Sequence, residues 1–192
     1  MAVLPRRFYA RPALEVAADL IGATLVHRGP FGTLGGVIVE VEAYGGADDP
    51  ASHARSGPTR RNRSMFGAPG HAYVYFTYGM HHCLNVVTGR EGEGEAVLLR
   101  AVAPTVGRAI WRRRRPDLPP GREAAGPGRL ARALGLTLAH DGLDLLVPPL
   151  TVRPRRGEEP PLSTGPRIGI RQGRDAPWRI WWTGHPAVSR SG

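Results

Sequence analysis

The sequence of 192 residues contains no lysine, so all 26 of its Lys and Arg side chains are arginines. Sixteen acidic residues leave a formal net charge of +10 at pH 7, and the sequence pI is about 11.2. Such an excess of positive charge favours a polyanionic partner, with nucleic acid ahead of an anionic membrane. A chain without lysine also offers no side-chain amine that could form a Schiff base.

Cysteine is nearly absent, because Cys83 is the only one and an internal disulfide is therefore excluded. A single thiol and a start without an apolar leader predict a cytoplasmic protein. No segment approaches the ~20 apolar residues that a membrane span requires. Neighbouring His81 and His82 would point to opposite faces of a strand, and no Cys/His cluster has zinc spacing. We therefore expect neither a metal nor a cofactor.

Long helical runs are also missing, since 26 glycines and 19 prolines interrupt the chain. The apolar runs predict strands at 23–27, 34–44, 72–77, 83–88, 96–102, 143–147 and 178–183. Short helices are predicted after Pro12 and over 130–136, and Arg112–Arg115 are expected in a mobile excursion. Strands without a βαβ rhythm indicate an α+β class. We expect one domain over 1–192, a mostly antiparallel curved sheet with short flanking helices and a protruding β-hairpin.

The best-patterned strand alternates, so that one face is predicted to carry Val37, Val39, Val41 and Ala43 and the other Ile38, Glu40, Glu42 and Tyr44. Two carboxylates stand in it. Glu40 and Glu42 are two residues apart, so they share one face of an extended strand. Two close carboxylates disfavour joint ionisation, which predicts a raised pKa for at least one of them and a role as a general base. The alternative is a solvated outer face of an edge strand, where exposed glutamate is ordinary.

A basic loop follows this strand. Residues 53–63 place Arg55, Arg60, Arg61 and Arg63 among Ser, Thr and Asn side chains, which suits contacts with phosphates. Beyond the loop, Tyr73 and Tyr75 share a strand face, whereas Tyr78 falls at the tip of the predicted hairpin. Tyrosine in a strand is most often a packing residue. Flat aromatic walls also suit a pocket for an extruded base, and an exposed side chain can enter a base stack.

Taken in order, several segments resemble the alkyladenine (3-methyladenine) DNA glycosylases of the mammalian type, which also have bacterial members. The matching segments are Glu40-Val41-Glu42-Ala43-Tyr44, His53 with 60–66, Tyr73-Val74-Tyr75, Tyr78-Gly79-Met80, Cys83-Leu84-Asn85, 97–101, 126–130 and 165–170. The resemblance touches most of the chain with similar spacing. His81 and His82 depart from it, because aromatic residues are expected after Met80.

The resemblance implies a role for each matching residue. Glu42 would be the general base and Arg100 would help to hold the attacking water. The pocket for the extruded base would be lined by Tyr44, His53, Tyr75 and Asn85, with Asn85 at its floor discriminating against the exocyclic amine of guanine. Tyr78 and Met80 would enter the duplex. The composition of the basic loop, rather than the resemblance, predicts contacts with the DNA backbone from Arg55, Arg60, Arg61 and Arg63.

The implied function is base-excision repair of alkylated or deaminated purines in duplex DNA by a monomer. The lack of lysine predicts a monofunctional enzyme without lyase activity, so a separate endonuclease would process the abasic site. One alternative is a non-catalytic binder of distorted DNA or structured RNA, which would not need Glu42. Another is a carbohydrate hydrolase using Glu40 and Glu42 as an acid pair, which the basic surroundings disfavour.

Overall fold

The computed structural model describes residues 2–189, in which eight strands form one curved sheet. The strands are β1 (Thr24–Gly29), β2 (Gly32–Gly45), β3 (Ala72–Thr77), β4 (His81–Thr88), β5 (Glu95–Val106), β6 (Leu150–Arg153), β7 (Leu162–Gly165) and β8 (Arg179–Trp182). The order across the sheet is β3-β4-β5-β2-β1-β6, while β8 pairs with both β2 and β7. Every one of these pairings is antiparallel, so the predicted α+β class with an antiparallel sheet is confirmed.

The helices are short. The α-helices are α1 (Arg6–Tyr9), α2 (Ala13–Leu20), α3 (Arg108–Arg114) and α4 (Pro127–Leu134), and 3-10 helices span Gly46–Asp48, His53–Ser56, Arg63–Phe66 and Leu138–His140. Helix α4 ends where Gly135 adopts a left-handed conformation (φ 75°) that favours glycine, as the sequence predicts. Within residues 2–189, no helix has the length and apolar character needed to cross a membrane.

The main core lies between the sheet and the helices. Helix α2 buries Val16, Ala17 and Leu20 on one side, at the three- and four-residue spacing of an amphipathic helix. Helix α4 buries Leu130 and Leu134 in the same cluster. Burial of this apolar surface holds the helices on one face of the sheet and leaves the opposite face for other contacts.

Strand β2 is the centre of the sheet and has three shifts in its register with β5, the first of them between Gly35 and Gly36. It pairs with β5 along most of its length, and its other edge is shared by β1 and β8. The register with β5 shifts between Ile38 and Glu40 and again between Glu40 and Val41. As a result Ile38 packs in the main core with Val41, whereas Val39 packs on the opposite face. The simple alternation predicted for this strand is wrong there, because a β-bulge changes which face a side chain reaches.

Strands β3 and β4 form the predicted hairpin, whose tip is Tyr78-Gly79-Met80. Tyr78 (φ 51°) and Gly79 (φ 66°) both have positive φ, and the Met80 N–H donates to the Thr77 carbonyl (3.2 Å). This is the arrangement of a type I′ turn, whose twist matches that of the strands it joins. Tyr78 and Met80 are exposed at 78% and 68%. The hairpin therefore protrudes from the sheet, as expected.

The strand predicted over 143–147 is wrong. That segment forms turns, with one isolated bridge between Asp144 and His71. The Asp144 carboxylate accepts a hydrogen bond from the Leu146 N–H (3.0 Å) and pairs with Arg6 (2.8 Å). An aspartate that bonds the backbone two residues ahead forms a turn that competes with an extended strand.

The arginine run 112–115 is also not a mobile excursion. Most of it belongs to α3, which is anchored by the buried Trp111. Arg114 donates to the Ala133 and Arg132 carbonyls at the end of α4 (2.6 and 2.9 Å) and lies 3.8 Å from the Phe31 ring centroid. Buried Arg115 pairs with Asp117 (2.9 Å). The Arg114 guanidinium thus satisfies two helix-terminal carbonyls that the sequence alone does not bring near it.

Candidate active site

One open cavity of about 920 Å³ collects most of the candidate residues. It lies between the hairpin, the loop after β2 and the segment 168–172. Of the candidate residues, those lining it are Tyr44, His53, Arg55, Arg61, Tyr75, Tyr78, Asn85 and Arg100. Met80 lies at the hairpin tip outside the lining, Arg60 and Arg63 are exposed on the neighbouring loop, and Glu42 lies directly behind the cavity wall.

Glu42 is completely buried and surrounded by hydrogen-bond donors. Its Oε1 lies 3.0 Å from Arg100 Nη1 and accepts from the Ile168 N–H at 2.7 Å. Its Oε2 accepts from the Tyr44 hydroxyl at 2.9 Å. The Ile168 N–H and the Tyr44 hydroxyl donate hydrogen bonds and Arg100 adds an ion pair, so the carboxylate is held from three sides, next to the cavity-lining side chains of Tyr44 and Arg100.

Arg100 links the two glutamates that the sequence places on one strand face. Its Nε donates to Glu40 Oε1 (2.8 Å) while its Nη1 meets Glu42. The register pairs Glu40 with Ala101 and Val41 with Leu99, so Arg100 is the extra residue of a bulge. Bulges re-aim side chains beside functional sites, and this one directs a guanidinium between two carboxylates.

Neither glutamate lies on a solvated outer face, because both are fully buried. Burial by itself raises the pKa of Glu40, but the charge and hydrogen bonds of Arg100, Ser189 and Arg179 outweigh burial and hold that pKa below its ordinary value. The predicted rise in pKa from mutual repulsion is therefore wrong for Glu40. The Arg100 guanidinium contacts both carboxylates and offsets their repulsion.

Aromatic side chains form the cavity wall. The His53 ring meets the Tyr75 ring edge-to-face at 4.6 Å between centroids, and Tyr73 lies 5.4 Å from Tyr75. Burial, followed by the nearby Glu42 charge, raises the pKa of Tyr44 well above its ordinary value. Burial and the charge of Arg61 lower the pKa of His53. The wall is thus made of uncharged phenols and a neutral imidazole at pH 7.

Asn85 lies at the closed end of the cavity with two residues that the sequence did not single out, Cys83 and Leu98. The Asn85 Nδ2 donates to the Tyr73 carbonyl (3.0 Å), which fixes the orientation of its amide. Burial raises the pKa of the Cys83 thiol, which contacts Tyr75. Because Cys83 and Asn85 alternate with inward spacing on β4, the strand period could have indicated both.

The arginines of the loop have different surroundings. Arg61 donates to the Phe76 carbonyl (2.9 Å) and its guanidinium lies 6.0 Å from the Tyr75 ring centroid, so it braces the hairpin against the cavity. Arg55 bonds to Gln172 across the cavity mouth. The loop itself is tied by buried Asn62, whose Nδ2 donates to the His53 and Gly57 carbonyls (2.8 and 3.1 Å).

The sequence did not single out the side chains that hold this site from behind. Arg167 pairs with buried Asp49, donates to the Ala43 carbonyl (2.9 Å) and lies 4.7 Å from the Tyr44 ring centroid. It thereby fastens the segment whose Ile168 N–H reaches Glu42. Charged groups that meet across more than 100 residues leave no local pattern in a sequence.

Histidine, cysteine and acidic side chains do not gather into a metal-binding group of three or more anywhere in residues 2–189. His81 and His82 lie beside the hairpin tip, where His82 packs against Phe76 with 4.9 Å between ring centroids.

Comparison with known proteins gives a consistent set of matches. A family model described as methylpurine-DNA glycosylase matches residues 7–186. A protein of Rhodopseudomonas palustris (strain HaA2) is 52% identical over 187 residues, which cover 97% of this chain and 90% of the relative. A protein of Nitrosospira multiformis is 47% identical over 95% of this chain and 91% of its own length. A protein of Methanoculleus marisnigri is 48% identical over 97% of this chain and 98% of its own length. All three bear the name 3-methyladenine DNA glycosylase.

Proposed function

The chain belongs to the methylpurine-DNA glycosylase family and is a DNA N-glycosylase, and we propose that it flips alkylated or deaminated purines out of duplex DNA and hydrolyses their bond to the sugar. The observation that carries the proposal is a buried carboxylate, Glu42, held by three donors directly behind an aromatic cavity. A base extruded from the stack needs flat walls to receive it and a nucleophile beside its sugar.

The proposed pocket holds the base by its faces. Tyr44, His53 and Tyr75 line the cavity with aromatic surface, on which a base can stack. Asn85 stands at the closed end, where its amide would meet the exocyclic amine of guanine. The discrimination against normal guanine would be steric, because the hydrogen bond to the Tyr73 carbonyl holds the Asn85 side chain where the exocyclic amine would have to fit.

The proposed reaction uses water as the nucleophile. Glu42 would accept a proton from a water that enters between it and the extruded nucleotide, and Arg100 would help to orient that water. The water oxygen bonds to C1′ while the N-glycosidic electron pair leaves with the base. A cationic base such as 3-methyladenine leaves as a neutral molecule, whereas hypoxanthine must gain a proton as it departs. Proton transfer by a positioned side chain contributes roughly 10²- to 10⁴-fold to such rates.

The proposal extends to DNA contacts and to the product. Tyr78 and Met80 would enter the base stack from the exposed hairpin tip, while Arg55, Arg60, Arg61 and Arg63 would contact the backbone. Without lysine, the enzyme would leave the strand intact, and a separate endonuclease would process the abasic site. We propose that the enzyme acts as a monomer on DNA in the cytoplasm.

The proposal is tested by single-turnover release of hypoxanthine or methylated purines from duplex oligonucleotides. The wild type should release the base, and Glu42→Gln should reduce the rate constant by about 10²- to 10⁴-fold while still binding the lesion duplex. Exposed Glu91 supplies the matched control, since Glu91→Gln removes an equal charge outside the cavity lining. Unchanged release by Glu42→Gln would overturn the role of Glu42 as the base.

The same experiment separates the two alternatives. A non-catalytic binder would bind distorted duplex without releasing any base, and family membership leaves that alternative without support. A carbohydrate hydrolase would need Glu40 and Glu42 as an acid pair. In the described structure one guanidinium binds both carboxylates, and Glu40 is not part of the cavity lining. Strand cleavage without added alkali or endonuclease would contradict the monofunctional part of the proposal.

A further inference from the structure

Glu40 lies on the far side of Arg100 from the cavity and is fully buried. Its Oε1 accepts hydrogen bonds from Arg100 Nε, Arg179 Nε and the Ser189 hydroxyl, each at 2.8 Å. Its Oε2 accepts from the Ser189 N–H at 2.6 Å. Four donors thus meet one carboxylate, which is as many as it can accept.

These contacts fix the direction of the Arg100 guanidinium. A guanidinium is planar, so one that donates a hydrogen bond through Nε cannot rotate to a new direction without breaking that hydrogen bond. With Nε on Glu40, the Nη1 group points at Glu42 Oε1, 3.0 Å away. The position of Arg100 against Glu42 is therefore set by Glu40.

The C-terminal end of the described chain completes this arrangement. Arg122 donates to the Pro186 and Val188 carbonyls (2.6 and 3.3 Å), and Arg179 Nη2 donates to the Ser189 carbonyl (3.1 Å). Buried Ala187 packs against Val39 on the sheet face opposite the main core. The segment 186–189 is thereby fastened to the sheet so that Ser189 reaches Glu40.

The buried charges balance within the cluster. Glu40 and Glu42 carry two negative charges, and Arg100 and Arg179 carry two positive charges at short range. Burying charges is costly unless they are paired and hydrogen-bonded, so a removed member leaves an uncompensated charge beside the others.

We propose that Glu40 and Ser189 are positioning residues that hold the Arg100 guanidinium against Glu42, so that the segment 186–189 is a working part of the active site. This inference rests on the proposed function. Neither residue touches the cavity, so both act through Arg100.

The first test measures single-turnover base release from hypoxanthine duplex by Glu40→Gln and Ser189→Ala. The amide of Glu40→Gln turns an N–H₂ group toward the Ser189 N–H, and we expect the rate constant to fall about 100-fold. Ser189→Ala removes one hydroxyl donor, keeps the backbone donor, and should cost about tenfold. Ser163 supplies the control, because Ser163→Ala removes a hydroxyl that bonds Thr183 away from the cluster and should leave the rate unchanged.

Two readouts separate positioning from a general loss of structure. Binding to a duplex with a tetrahydrofuran abasic site should stay within about threefold of wild type, because the cavity lining is intact. In Glu40→Gln the Arg100 guanidinium loses one of its two carboxylate partners, so the factor by which the rate constant falls should vary with pH. A partly unfolded preparation would instead lose the same fraction of rate at every pH. Wild-type rates and profiles in folded Glu40→Gln and Ser189→Ala would overturn the proposal.

A further measurement does not depend on activity. The Nε–H of Arg100, assigned in nitrogen-15 spectra by its loss in Arg100→Lys, should exchange slowly with solvent in the wild type and at least about tenfold faster in Glu40→Gln. Equal exchange in both proteins would overturn the proposal. If the wild type released none of the bases, the proposed function would fail, and this exchange rate would still decide whether Glu40 holds Arg100.

Discussion

At the scale of single residues, the cavity wall is aromatic, and the hydroxyl groups of its buried tyrosines are not ionised. The raised pKa of Tyr44 keeps its hydroxyl protonated, so it stays a donor to Glu42. The lowered pKa of His53 keeps its ring neutral at pH 7. Uncharged aromatic faces attract a cation through their quadrupole. The walls therefore suit the cationic alkylated purines of the proposed function better than they suit an unmodified base.

Glu40 gives a prediction for stability against pH. Its pKa is below the ordinary value of 4.5 in the folded protein, so its ionised form stabilises the fold above pH 4.5, and that contribution is lost as pH falls through the folded pKa. Glu40→Gln lacks the contribution at every pH and leaves buried arginine charge uncompensated. We expect its free energy of unfolding to be about 3 kcal/mol lower than wild type at pH 7.

Urea unfolding from pH 7 down to pH 3 checks this. The difference between wild type and Glu40→Gln should be constant above about pH 5 and shrink toward acid. A difference that stays the same down to pH 3 would show that the charge of Glu40 adds nothing to the fold. Glu91→Gln, at an exposed position, should follow the wild type throughout.

At the scale of elements, the β3–β4 hairpin combines backbone strain with exposure. Tyr78 occupies a left-handed conformation (φ 51°) that an aromatic residue adopts at a cost, and its side chain is 78% exposed. Asparagine tolerates that conformation better. We expect Tyr78→Asn to raise the free energy of unfolding by about 0.5 kcal/mol or more, and to reduce base release from duplex DNA by about tenfold or more.

Thermal unfolding and single-turnover release measure the two effects on the same preparation. A higher free energy of unfolding together with slower base release would indicate that Tyr78 serves contact with DNA rather than folding. A variant that is more stable and equally active would contradict the intercalating role proposed for Tyr78.

The contact between α3 and α4 makes a second prediction at this scale. Arg114 caps two carbonyls of α4 and stacks on Phe31, whereas neighbouring Arg113 is exposed. Arg114→Ala should lower the free energy of unfolding by about 2 kcal/mol, since it removes helix-end hydrogen bonds and a cation–π contact together. Arg113→Ala should change it by less than about 0.5 kcal/mol.

Denaturant unfolding of Arg114→Ala and Arg113→Ala tests this difference in stability, and base release is the control for the distant cavity. Equal effects of the two substitutions would mean that the segment is as mobile as the sequence predicts. Base release should be the same in both, because neither arginine lines the cavity.

At the scale of the whole molecule, the sequence is informative where a local pattern reports the structure. Alternating apolar residues predict the central strand and the hairpin, and Gly135 marks the end of α4. The bulges at which β2 pairs with β5 have no such signal, so the predicted alternation is wrong at Ile38. Arg179 and Ser189 meet Glu40 across 139 and 149 residues, and only the folded chain brings them there. Ordered motifs identify the candidate site, but its supporting contacts are long-range.

The protein has a net charge of +10, and the number of arginines that contact phosphates predicts how steeply its DNA binding depends on salt. Each phosphate neutralised by an arginine releases counterions, so the logarithm of the association constant should fall by about 0.9 per contact for each decade of salt. The four backbone contacts proposed for the basic loop would give a slope of about −3 to −4. Arg60→Gln and Arg63→Gln should each make it less steep by about 0.9, and Arg113→Gln, on α3, should not. These slopes are measured from the binding of a duplex with a tetrahydrofuran abasic site at roughly 50 to 300 mM salt, a range over which screening changes strongly. An equal change in the Arg113→Gln slope would mean that total charge, rather than the loop, binds the backbone.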